Sequence, residues 1–153
     1  MKQLIELSVP FPAEIVMEPP TGKHGDYVNH ADVTQRALTI VGSFSFEVIE
    51  LIRGYAEEET KRDGTLLGEA RDNAVVGCVG RLTLEVDGRP VVISEIGSVD
   101  NPASENDGEN AKKAASDALK RCWMRTGLGL HLWSKHYFLH GQLLKDHPEY
   151  ADE

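Results

Sequence analysis

"NAVVGCVGRLTLEVDGRPVVISEIGS", residues 73–98, decides the fold. Alternation over Asn73–Val86 sets Cys78, Gly80, Leu82, Leu84 and Val86 on one face of a strand. Val79, Arg81, Thr83 and Glu85 then fall on the other face. Asp87–Gly88 suits the two positive φ values of a tight two-residue turn, so Arg89–Ser98 is expected to return as the antiparallel partner. Upstream, "SFSFEVIELI" (Ser43–Ile52) is aromatic and β-branched and is expected to complete a set of three strands. Downstream, Ala111, Ala114, Ala115, Ala118, Leu119 and Cys122 follow i, i+3, i+4, i+7 spacing. That spacing predicts a long helix, opened by Asn106 or Asp107 and closed by Gly127. Its small alanine face calls for close approach to the sheet.

The expected fold class is therefore α+β. A β-β-β-α core has a three-stranded antiparallel sheet, built on a β-hairpin, packed on a long helix. A short helix precedes it over "NHADVTQRALTIVG", with Asn29 as N-cap, Asp32 in the first turn and Val33, Ala37, Ile40 and Val41 on one face. The opening is expected to be irregular, because Pro10, Pro12, Pro19 and Pro20 interrupt it, leaving "EIVM" as one short edge strand. "PPTGKHGD", "AEEETKRDGTLLGEARD" and "VDNPASENDG" read as surface loops. The expected organisation is a single domain over 1–153, with a core at about 27–133 and a C-terminal helical segment at 132–147 that Gly141 interrupts.

A hydrophobic content of 41% and a charged content of 27% are ordinary for a globular fold. No apolar run approaches the roughly 20 residues that cross a bilayer, and "MKQLIELSVPFP" is too short and interrupted for a secretory signal. Cys78 and Cys122 lack CxxC spacing and are expected to be reduced and buried. A cytoplasmic protein with no membrane partner is the expectation.

Charge is segregated. The chain carries −9 overall, yet residues 110–145 hold seven Lys/Arg and one acid, Asp117. A phosphate chain responds to such a local field, screened beyond roughly 10 Å. On the helical wheel, Lys113 and Lys120 lie opposite the core direction through Ala111, Ala115, Ala118 and Cys122. Arg121 and Lys112 flank them, and Arg125 sits in the last turn, over the core edge but able to swing outward. A solvated face answering the helix dipole explains Lys120, Arg121 and Arg125. It does not explain Lys112 and Lys113, cations in the first turns. Charge alone leaves both a bland and a phosphate-binding reading open.

Residues pointing to an enzyme are sparse. His136 and His140 stand at i, i+4 with His131 nearby, but no glutamate follows the first, and the nearest acids are Asp146 and Glu149. No nucleophile elbow and no Walker-type glycine loop occur. The expectation is a non-enzyme with no metal and no cofactor, a histidine-cluster metal protein being the weaker alternative. Trp123, Trp133, Tyr137 and Phe138 offer faces on which bases stack. The commoner use of such aromatics is core or subunit contact, and Trp133, Tyr137 and Phe138 are expected at a protomer interface.

"YVNHADVTQRAL", "FSFEVIEL", "VVGCVGRLTLEVDG", "SEIGS" and "ENAKKAASDALKRCWMRTG" carry a resemblance. Spanning roughly Tyr27 to Trp133, they are similar to the Rad fifty-two superfamily of single-strand annealing proteins, the eukaryotic recombination mediator and its phage-encoded relatives. The resemblance implies ATP-independent annealing of DNA strands for recombination and repair, by an oligomeric ring or arc that lays single-stranded DNA in a basic groove. It implies that Lys120 and Arg121 match the groove-lining pair and Lys112 a basic position before it, with Lys113 beside it. A family arginine falls at Met124, leaving Arg125 as neighbour, and another at Met17, leaving Lys23 as the nearest substitute. A phage recombination system in the host cytoplasm, with a nuclease or single-strand-binding protein as partner, is the implied setting. A double-stranded RNA-binding domain is the rival. It shares the helix–three strands–helix order, and its second helix also opens on two lysines.

Overall fold

The computed structural model describes residues 1–19 and 25–152. In chain order the helices are α1 (Lys2–Ser8), α2 (His30–Val41), α3 (Asp107–Arg125) and α4 (Leu139–Asp146). The strands are β1 (Ser45–Ala56), β2 (Glu59–Thr60), β3 (Leu66–Gly68), β4 (Arg71–Val86) and β5 (Arg89–Ser98). β1, β4 and β5 form the expected three-stranded antiparallel sheet, in the order β1-β4-β5. The fold is α+β, and by its contacts the chain divides into two compact units.

One unit comprises Phe46–Leu82 and Ile93–Cys122, so it holds most of the sheet and most of α3. Cys78, Ala114 and Ala118 are fully buried in its core, with Phe46, Val99 and Ala115 against them. Small residues on both sides bring helix and sheet together. A Cβ on Gly97 would stand 2.0 Å from the Ala114 carbonyl oxygen, and one on Gly80 2.7 Å from the Phe46 ring. The buried side of α3 is displaced from the expected one: Asn110 and Ala114 are fully buried, while Ala111 is only half-buried. Burial of Asn110 follows from its amide, which donates to the Pro102 carbonyl at 2.9 Å.

Asn106, of the two candidates, caps α3, its Oδ1 accepting from the Glu109 N–H at 2.8 Å. Asp107 instead accepts from the Val75 N–H, Arg53 and Arg71, each at 3.1 Å. The Val75 N–H and the guanidinium groups of Arg53 and Arg71 hold its carboxyl below the ordinary carboxylate range. A depressed carboxyl contributes in full above that range, near pH 4, and the contribution is lost as pH falls through the folded value. Asp107→Asn is thus expected to lower the melting temperature at pH 7. Melts taken down to pH 3 should show the gap between variant and wild type closing.

The charged stretch after β1 is not the simple loop expected. β2 and β3 pair antiparallel around a turn in which Asp63 Oδ1 accepts from the Thr65 N–H at 2.9 Å. β1 also runs four residues beyond the expected Ile52 and begins at Ser45 instead of Ser43. Ala56 at its end is buried with Ala74 and Ala103, a pattern too short to read from periodicity.

The other unit comprises Met1–Ser45, Thr83–Val92 and Trp123–Glu153. Its turn is the expected two-residue one, with φ of 51° at Asp87 and 78° at Gly88. The opening is helical where irregular chain was expected: α1 buries Ile5, Leu7 and Ser8 and contacts both α2 and α4. Gln3 and Leu4 donate their N–H groups to the Asp87 carboxylate, at 2.9 and 3.2 Å. "EIVM" is also not a strand. Ala13–Ile15 form a 3-10 turn, and only Met17 pairs, in a single bridge to Tyr27. At the C-terminus, α4 covers only the second half of the expected 132–147 segment. Before it, Leu130–Leu132 form a 3-10 turn after Gly127 and Gly129, at φ of 100° and 76°. Trp123 is fully buried and meets Phe44 edge-on at 5.0 Å.

Candidate nucleic-acid interface

α3 gathers the candidate cations. Ala114, Ala118 and Cys122 hold its buried side, and Lys112 and Lys113 project from the other with 78% and 53% of their side chains exposed. Lys120 and Arg121 are half-buried two turns on. Arg125, exposed in the last turn, belongs to the other unit. Lys23 lies outside the described residues.

These cations carry carboxylates of their own. Lys112 Nζ lies 3.4 Å from Glu109, Lys113 Nζ 3.2 Å from Glu105, and Arg121 Nε 3.0 Å from Asp117. Asp117 is itself held by β5, accepting from the Ser98 N–H at 3.0 Å. The wheel placed the cations but passed over these partners. The signal for the last was the Asp117–Arg121 spacing, an acid four residues before a base, the more favourable orientation on a helix. The exposed Lys112–Glu109 and Lys113–Glu105 pairs are of a kind that contributes only about 0.2–1 kcal/mol each, whereas Arg121–Asp117 is part-buried and its acid is also bound to β5. A phosphate can therefore displace the two exposed pairs more readily than the Arg121–Asp117 pair.

The histidines are not arranged as a cluster. His131 is half-buried between the rings of Phe11 and Tyr137, and burial and the nearby Arg36 lower its pKa. His136 precedes α4 and is exposed, while His140 Nδ1 stands 2.9 Å from Ser8 Oγ. Among the described residues, no three His, Cys, Asp or Glu are placed to hold a metal ion. No helix among them is long and apolar enough to cross a membrane. Cys78 and Cys122 are buried thiols outside any disulfide, and burial raises the pKa of Cys78. Tyr137 turns inward, its hydroxyl donating to the Ser8 carbonyl, whereas Trp133 and Phe138 stand 45% and 74% exposed.

The structure thus lays a three-stranded sheet tightly on a basic, alanine-backed helix. The sequence model of the Rad52/22 family double-strand break repair proteins matches residues 6–150, and the chain belongs to that family. Its work lies in double-strand break repair and recombination. No curated protein matches the chain.

Proposed function

We propose that the chain binds single-stranded DNA along α3 and anneals complementary strands without ATP, as an oligomeric ring or arc. Lys120 and Arg121 are the central phosphate contacts, with Lys112 and Lys113 on the same helix. Arg125 and Lys23 are further contacts under this reading. The observation that supports it best is the arrangement of α3: fully buried alanines face the sheet, Lys112 and Lys113 project away from it, and Lys120 and Arg121 are half-buried further along the same helix. An annealing protein must grip phosphates and leave base edges available, which a row of Lys/Arg does without reading sequence.

One protomer gives a weak grip, because its cations are few and most are charge-paired. Repetition around a ring compensates through effective concentration. The acidic remainder of the chain disfavours DNA elsewhere on the surface. Wild-type protein is expected to speed the pairing of complementary strands with no nucleotide present. Unlabelled oligo-dT should also displace a labelled single strand far better than duplex RNA does. Equal displacement by duplex RNA would favour the double-stranded RNA-binding reading, and a strict need for ATP would contradict the proposal outright.

A further inference from the structure

From Ala118 to Lys145 the sequence holds no Asp or Glu, in a chain that has 25 of them. Within that stretch, residues 133–138 link the Leu130–Leu132 turn to α4 and expose Trp133, Lys135, His136 and Phe138. Phe138 is 74% exposed, Trp133 45%, and Lys135 and His136 lie open between them. Leaving a phenylalanine this open forgoes much of the roughly 1.5–3 kcal/mol that its burial contributes. Phe138 and Tyr137 wall a shallow cleft of about 380 Å³, with Pro10, His140, Gln142 and Lys145 around it. That volume sits at the lower end of small-ligand sites, about 300–1,000 Å³. Unlike Lys112, Lys113 and Arg121, neither Lys135 nor Lys145 has an ion-pair partner among the described residues. Asp146, just beyond, accepts from Gln142 at 2.9 Å.

We propose that this cleft takes one nucleotide of a single strand, its base stacked on the Phe138 ring and a flanking phosphate held by Lys145. An open ring with cations beside it is the combination by which single strands are bound irrespective of sequence. A contact between copies of the chain calls for the reverse, an apolar centre depleted of charge. The inference rests on the chain being a single-strand binder, but not on the part given to α3.

The test uses the full chain, oligo-dT and an abasic strand of equal length. Phe138→Leu keeps an apolar side chain at an open position and removes only the aromatic face. It is expected to weaken oligo-dT binding about fivefold, the low end of what one stacked base is worth, and to leave abasic binding within about twofold. Phe138→Tyr should restore the loss, and Lys145→Ala should weaken both strands. Equal loss on both strands, no loss, or a loss accompanied by a smaller solution mass would overturn the proposal, the last by making Phe138 a subunit contact. Lys120→Ala/Arg121→Ala run in parallel separates the two claims. If that variant is impaired while Phe138→Leu is inert, the cleft alone fails. If wild-type protein binds neither strand, both fail.

Discussion

Gly97→Ala is expected to destabilise the protein by at least about 3 kcal/mol, at or above the upper end of ordinary overpacking. The added methyl would stand 2.0 Å from the Ala114 carbonyl oxygen, 2.6 Å from the Ala118 nitrogen and 2.9 Å from the Ala118 Cβ. Two of these are helix backbone, which no rotamer change can move. α3 would have to lift from β5, giving up the packing of Cys78, Ala114 and Ala118 that closes this core. The effect reads directly in urea unfolding as a lower midpoint at an unchanged slope. Gly141→Ala is the control. Its Cβ meets nothing within 4 Å on α4, so helix propensity should make it neutral or stabilising by up to about 1 kcal/mol.

The second large effect is on binding. Lys120→Ala/Arg121→Ala is expected to lower affinity for a long single strand by a factor of ten or more, with the melting temperature nearly unchanged. Both side chains are half-buried on a helix whose core is made by other residues, so truncating them opens no cavity. The loss should grow with strand length, because each added protomer contributes the same two missing contacts. Removing Arg121 also takes from Asp117 its ion-pair partner, so that of these two contacts only the Ser98 N–H still holds the carboxylate. Arg121→Ala alone is therefore expected to cost more than Lys112→Ala, whose partner Glu109 is nearly half exposed and well solvated.

Much of this architecture was legible before any coordinates. The β4–β5 hairpin announced itself through strict alternation and the Asp87–Gly88 turn, both local signals. β5 begins and ends where it was expected, at Arg89 and Ser98. α3 was equally plain, because its alanines repeat at helical spacing. α1 was missed because nothing local marks it: its burial depends on α2 and α4, distant in sequence. The second half of the C-terminal helix was legible and the first was not, since glycines at positive φ and an inward-turned Tyr137 hold residues 127–137 in turns. At the site, the wheel set Lys112 and Lys113 outside, where they stand, but passed over the company the cations keep. Glu105 reaches Lys113 from outside the helix, a contact with no periodic signature.

The most direct test of the α3 track is a salt titration of oligo-dT binding, wild type against Lys120→Ala/Arg121→Ala. Each phosphate contact on a single strand adds about 0.7 to the slope of log K against log salt. The variant's slope is expected to be shallower by about 1.4 for every protomer on the strand. Superimposable slopes would mean that neither side chain neutralises a phosphate, and the account of α3 would be wrong.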